Sequence, residues 1–202
     1  LKRPIDLWIP FGAHDPDPGA ASAIAIDPRF ANLSCVEELT AIAASACFHM
    51  ATSFIEDDHI FMEAWVATGW TSLSRGLELL DGSLVRRQGG FDIMTGAFIA
   101  ALCAHNRGRQ PVSALADALA IPGWTTIHEA RAALTVPVLA LAKRDRGQRY
   151  DELAAAVYPS DPLEFSRTVI DRAGFSDKVA VIGQVCANGT VLLRDAQTNA
   201  AL

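Results

Sequence analysis

The 202-residue chain has few of the residues that usually announce chemistry. Its four cysteines, Cys35, Cys47, Cys103 and Cys186, stand far apart, with no Cys-x-x-Cys and no Cys/His ligand spacing. That argues against a zinc module or a disulfide scaffold. Each cysteine sits in an apolar run, so buried free thiols in a reducing compartment are expected. Gly-x-Ser-x-Gly, Gly-x-Gly-x-x-Gly and a Walker loop are all missing. Neither a nucleophile elbow nor a phosphate cradle is therefore expected, and no cofactor is implied. Cys47 and His49 are close in sequence, but on a helix they point about 200° apart and do not make a catalytic pair. Strong β-formers are scarce before residue 179 while alanine is abundant, which favours helices. Long apolar runs are also missing. The longest uncharged stretch, Leu39 to Ile55, contains Thr40, Ser45, His49, Thr52 and Ser53. It is too short and too polar for a membrane span and reads as a buried helix. With no signal peptide in view, a cytoplasmic protein with no membrane partner is expected.

Half of the residues are apolar and one fifth are charged, enough to bury a sizeable core in one large domain or two small ones. The net charge of −6 is unevenly spread. Between Arg107 and Arg149 lie seven basic residues (Arg107, Arg109, Arg131, Lys143, Arg144, Arg146, Arg149) against three acidic ones (Asp117, Glu129, Asp145), a local balance of +4. A basic island on an acidic body can hold a phosphate backbone while the rest keeps the protein soluble.

Residues 1–33 are rich in proline and read as an irregular arm, with Leu7, Trp8, Ile9 and Phe11 able to strap onto a core. Ser34-Cys35-Val36-Glu37 fits a capping box. A long helix should follow to about Ala67, with Leu39, Ile42, Ala43, Ala46, Met50, Ser53 and Phe54 near one face and a surface outcrop or break at Glu56-Asp57-Asp58. Thr71 to Leu84 reads as a short helix weakened by Gly76, then a loop through Gly89-Gly90, then an apolar helix from Phe91 to His105. Residues 34–105 thus form a helical core and dimerisation region. Residues 106–202 form a second region, closed by a C-terminal hairpin. Val179-Ala180-Val181-Ile182 and Thr190-Val191-Leu192-Leu193 flank Asn188-Gly189, a strong short-range hairpin signal. The expected fold is mainly α, a helical bundle with helix-turn-helix units and a wing-like C-terminal β-hairpin.

The segment Pro111 to Leu134 carries the functional signal. Ser113 caps a short helix, Ile121-Pro122-Gly123 breaks it, and a second helix opens at Trp124 or Thr125. Ala116 supplies the small residue at a helix crossing, and Leu115, Leu119 and Ile121 are apolar as such a unit requires. Ala120 stands where glycine is usual, and the turn is one residue longer than the commonest spacing. Thr135 to Ala142 looks buried and contains Pro137, so the helix should kink or end there. Over residues 91–134 the chain resembles winged helix-turn-helix transcriptional regulators of the MarR-like kind. The resemblance implies a DNA-binding regulator. Thr125, Thr126, His128 and Arg131 would face the major groove, and Arg107, Arg109, Lys143, Arg144 and Arg146 would meet phosphates. Duplex DNA, a second copy in a homodimer and a small-molecule effector are the partners it implies. A second unit in the same order follows, Tyr150–Val157, Leu163–Ala173 and the hairpin. From Asp151 to Asp195 its net charge is −3, so it suits an interaction surface or a wing rather than DNA.

Two alternatives compete. Glu56-x-x-His59 with Glu63 one turn later has the spacing of helical di-iron sites, which would make a metal-dependent enzyme, but no second Glu-x-x-His is present to complete the pair of metals. A charged helix end explains these residues equally well. The third reading is a helical ligand-binding or protein-interaction protein that does not bind DNA.

Overall fold

The computed structural model describes residues 35–56, 60–81, 86–107, 111–157 and 161–184. Among them are eight helices and no strand. In chain order these are α1 (Val36–Glu56), α2 (Ile60–Leu79), α3 (Arg86–Arg107), α4 (Pro111–Leu119), α5 (Ile127–Asp145), α6 (Gly147–Ala156) and α7 (Pro162–Arg172), followed by α8 (residues 176–184).

Helix α1 is the axis of the fold, and α2, α3, α5, α6 and α7 all pack against it. Its entry is capped reciprocally. The Cys35 amide donates to Glu38 Oε2 at 3.0 Å, and the Glu38 amide donates to Cys35 Sγ at 3.4 Å. The capping box therefore lies one residue later than the Ser34–Glu37 pairing expected, and Cys35 is exposed rather than buried. Cys47 and Cys103 are buried as expected, and desolvation lifts both thiols to about 12. Cys186 lies outside the described residues. Leu39, Ala43, Met50 and Phe54 are fully buried on α1 and join one continuous core that extends to Val169 and Ile170 of α7. Val36–Ile55 is the one stretch among the described residues long and apolar enough to cross a membrane, and 83% of it is buried under neighbouring helices. Hydroxyls within this core bond back to their own helix. Thr40 donates to Val36 O, Thr52 to Phe48 O and Thr135 to Arg131 O, each at 2.9 Å. These bonds let polar side chains enter the core without an orphaned group.

Helices α2 and α3 share the most extensive contact in the fold. They are antiparallel, and four glycines set their closeness. A Cβ on Gly76 would stand 2.7 Å from the Gly89 carbonyl oxygen, and a Cβ on Gly89 would stand 2.7 Å from the Gly76 oxygen. Seven residues away on each helix, a Cβ on Gly96 would stand 2.8 Å from the Gly69 oxygen. Gly76 thus lets backbones touch rather than weakening its helix. Likewise Gly89-Gly90 lies inside α3 and not in a loop. Beside this contact Asp92 is almost wholly buried. It accepts from Arg75 Nε at 2.6 Å and Nη2 at 2.7 Å, with Gln88 Nε2 at 3.0 Å.

The C-terminal hairpin is a correction to the fold expected. Residues 179–182, read as its first strand, are the last turns of α8, with Ile182 buried and Val181 exposed. A four-residue apolar run fits a helix face as readily as a strand, and packing decides between them. Asn188-Gly189 and residues 190–193 lie outside the described residues. The single long helix expected to Ala67 is two helices, α1 and α2, and α2 continues to Leu79.

Candidate functional site

Four residues of the sequence's basic island, Lys143, Arg144, Arg146 and Arg149, gather at the corner between α5 and α6. Helix α1 ends there with no basic residue in its last turn, so its final carbonyls need donors from elsewhere. Two arginines supply them. Arg146 Nη1 donates to Ile55 O at 2.9 Å, and Arg149 Nε donates to Phe54 O at 3.0 Å. The Arg149 guanidinium also lies 4.0 Å from the centroid of the Phe54 ring. Its Nη1 reaches Glu63 Oε1 at 2.7 Å and Glu152 Oε2 at 2.8 Å. Its burial opposes the charge, but the bonds to Glu152 and Glu63 outweigh that and hold its pKa above the ordinary value. Arg149 and Gln148 in turn hold the Glu152 carboxyl below the usual carboxylate range.

These groups line an open cleft of about 660 Å³ between the end of α1, the start of α2 and the α5–α6 corner. Arg146, Gly147, Gln148, Arg149, Glu63 and Glu152 contribute to its walls, with Ile55 and Asp145. The wall is zwitterionic rather than basic. Arg144 is exposed and closes on its neighbour Asp145 at 2.6 Å, and Lys143 faces Asp161 at 3.6 Å and the Tyr150 ring at 5.0 Å. Arg109 and the Arg107 side chain lie outside what the structure describes.

The segment expected to form a helix-turn-helix holds two helices, α4 and α5, with Ala116 fully buried at its contact with Phe48 and Leu134. Its detail differs from the expectation. Pro111 opens α4, so Ser113 lies inside the helix rather than capping it. Residues 120–126 separate the two helices, a longer link than the three to four residues of a compact unit. Thr126, not Trp124, caps α5. Its hydroxyl accepts from the Glu129 amide at 3.2 Å and its amide donates to Glu129 Oε2 at 2.7 Å. Thr125 is 6% exposed, and its hydroxyl has no hydrogen-bond partner among the described residues. Arg131 turns toward α1 and donates to Ser45 Oγ at 3.1 Å. His128 is half-buried beside it and acts on His49 of α1. Burial first, then the charges of Arg131 and His128, pushes His49 down to about 3. Helix α5 does not end at Pro137 but continues to Asp145, and the solvent-facing residues there are Pro137, Ala140 and Leu141. Among the described residues no wing follows α7. Instead Lys178 of α8 donates to Trp124 O at 2.6 Å and covers the Trp124 ring at 5.7 Å.

Of the metal-type residues, Glu63 is the counter-ion of Arg149, while His59 and the Glu56 side chain lie outside what is described. No group of three metal-ligating side chains occurs among the described residues. The cleft residues Gln148, Arg149 and Glu152 are absent from the site expected from sequence. Their signal is the i,i+3 and i,i+4 spacing that puts all three on one helix face. The chain matches no family model, no characterised protein and no solved structure.

Proposed function

We propose that this chain is a helical ligand-binding protein whose site is the cleft at the α5–α6 corner, and that the α4–α5 pair is a structural element of its wall. The observation that carries the reading is where the arginines go. Arg146 and Arg149 meet the open end of α1, and Arg131 meets Ser45. A side chain turned into its own fold, as Arg131 is, does not reach a base edge, and the solvent face of α5 around Leu141 has no cation to offer a phosphate until Lys143 and Arg144. The cleft, by contrast, has the size of a small-molecule site and a few converging charged groups. Its polar lining favours a polar, charged ligand.

The test is a set of backbone-amide NMR spectra of the labelled chain with pools of small polar metabolites. The reading predicts saturable shifts centred on Ile55, Gly147, Gln148 and Arg149. Shifts from no pool, or shifts confined to other parts of the fold, would overturn it.

A further inference from the structure

The hydrogen-bond inventory of the cleft names the class of ligand, and this step rests on the cleft being the binding site. Each charged group in the wall can be checked for capacity that the fold leaves open. Glu152 has both oxygens engaged, Oε2 on Arg149 and Oε1 on Gln148. Asp145 has both oxygens on Arg144 at 2.6 and 2.8 Å. Arg149 is held by Phe54 O, Glu63 and Glu152 and is mostly buried. Two groups differ. Arg146 is exposed and uses only Nη1, on Ile55 O, among the described residues. Its Nε and Nη2 remain as a pair of parallel donors, the arrangement that grips a carboxylate at two points. Glu63 is 41% exposed and uses only Oε1, on Arg149, among the described residues. Its Oε2 remains as an acceptor with formal negative charge. The cleft therefore presents one open cationic fork and one open anionic oxygen, anchored on either side of the adjacent Phe54 and Ile55 carbonyls through Arg149 and Arg146.

We infer that the cleft binds a small zwitterion, an amino acid whose carboxylate sits on Arg146 and whose ammonium sits on Glu63. A purely anionic ligand would meet Glu63 and Glu152 at close range, and a purely cationic one would meet Arg146. Only a molecule with both charges matches both open groups. Arg149, bonded to Glu63 Oε1, positions that carboxylate.

Isothermal titration of the full chain with glycine, β-alanine, γ-aminobutyrate and 6-aminohexanoate measures the spacing of the two charges. The best of the four is then compared with its N-acetyl and carboxamide derivatives. Inorganic phosphate and putrescine are titrated alongside. The expected result is binding by one member of the series and at least a tenfold loss on blocking either end. In Arg146→Gln the carboxamide should bind as well as the parent, and in Glu63→Gln the N-acetyl derivative should. Each variant thereby removes the penalty at its own end only, which a general loss of structure would not do. Circular dichroism of both variants accompanies the titrations, and Glu63→Gln keeps an oxygen for Arg149. If phosphate or putrescine binds at the cleft amides and no zwitterion outcompetes its blocked forms, the ligand class is wrong and the cleft reading survives. If nothing in the panel binds, the zwitterion proposal is overturned. The metabolite-pool spectra then decide the cleft separately.

Discussion

The α2–α3 contact and the α5–α6 corner solve the same problem, holding two helices together, in opposite ways. Between α2 and α3 the side chains are removed. Gly76, Gly89 and Gly96 let backbones meet, Gly69 makes room for the Met50 and Ile99 side chains, and dispersion at short range does the holding. The one buried charge there, Asp92, is closed by three hydrogen bonds from Arg75 and Gln88. At the α5–α6 corner long side chains fill the space, and arginines bridge what the backbones leave open. The first contact has no room for a ligand. The second leaves a cleft and unsaturated groups on Arg146 and Glu63. Closeness serves stability in one place, and looseness leaves capacity for recognition in the other.

The sharpest way to break this contrast is to restore a side chain where there is none. Gly89→Val brings a branched Cβ against the Gly76 oxygen and the Leu80 amide, 2.7 and 3.0 Å from where the Cβ must sit. Neither neighbour is a flexible side-chain end, so we expect a loss of about 3 kcal/mol, the upper part of the range for overpacking. Urea denaturation measures it, and a loss within error of zero would mean that the helices are not this close. At the other region, Arg149→Ala removes the bond to Phe54 O and the partner of Glu63 and Glu152. It should destabilise by about 2 kcal/mol, less than breaking a fully buried pair because Glu63 and Glu152 are partly solvated. The same urea titration reads it, and a loss as large as that of Gly89→Val would make the corner as tightly built as the glycine contact.

A smaller effect separates the two regions by pH. His49 lies on the α1–α5 side, and its folded pKa is depressed from 6.5 to about 3. Its neutral form contributes stability that is fully present above pH 6.5. Below that the unfolded chain takes up the proton and the folded chain does not, so stability falls as pH drops toward 3. At pH 5 the loss from this one group is at most about 2 kcal/mol. His49→Gln should flatten the urea midpoint between pH 7 and pH 5 relative to the parent chain. An unchanged slope would mean that the folded chain protonates His49 as readily as the unfolded one.

Much of the helical fold is legible in the amino-acid sequence. The buried Leu39–Ile55 stretch, the α4–α5 pair and the Asp161-Pro162 opening of α7 all follow from periodicity and capping residues. The end of α1 at Glu56 does not, since one helix to about Ala67 is expected. Asp161 accepts from the Leu163 and Glu164 amides, as its position predicts. The glycine contact is hidden because a glycine in isolation signals a loop, and only the matching seven-residue spacing on two helices signals a crossing. The run at 179–182 reads as a strand because β-branched residues favour strands locally, while the burial of Ile182 is a tertiary fact. The site is legible as a charge island but not as a geometry. Composition counts Arg131, Arg146 and Arg149 alike, and cannot show that all three turn toward α1.

A fluorescence-anisotropy titration of labelled mixed-sequence duplex DNA, at low and high salt, decides whether these arginines face the solvent or α1. Arginines turned inward release few counterions, so the account predicts no saturable binding at low salt. Tight binding that weakens steeply with salt, and is reduced by Arg131→Ala and Arg144→Ala together, would contradict it and return α5 to the groove.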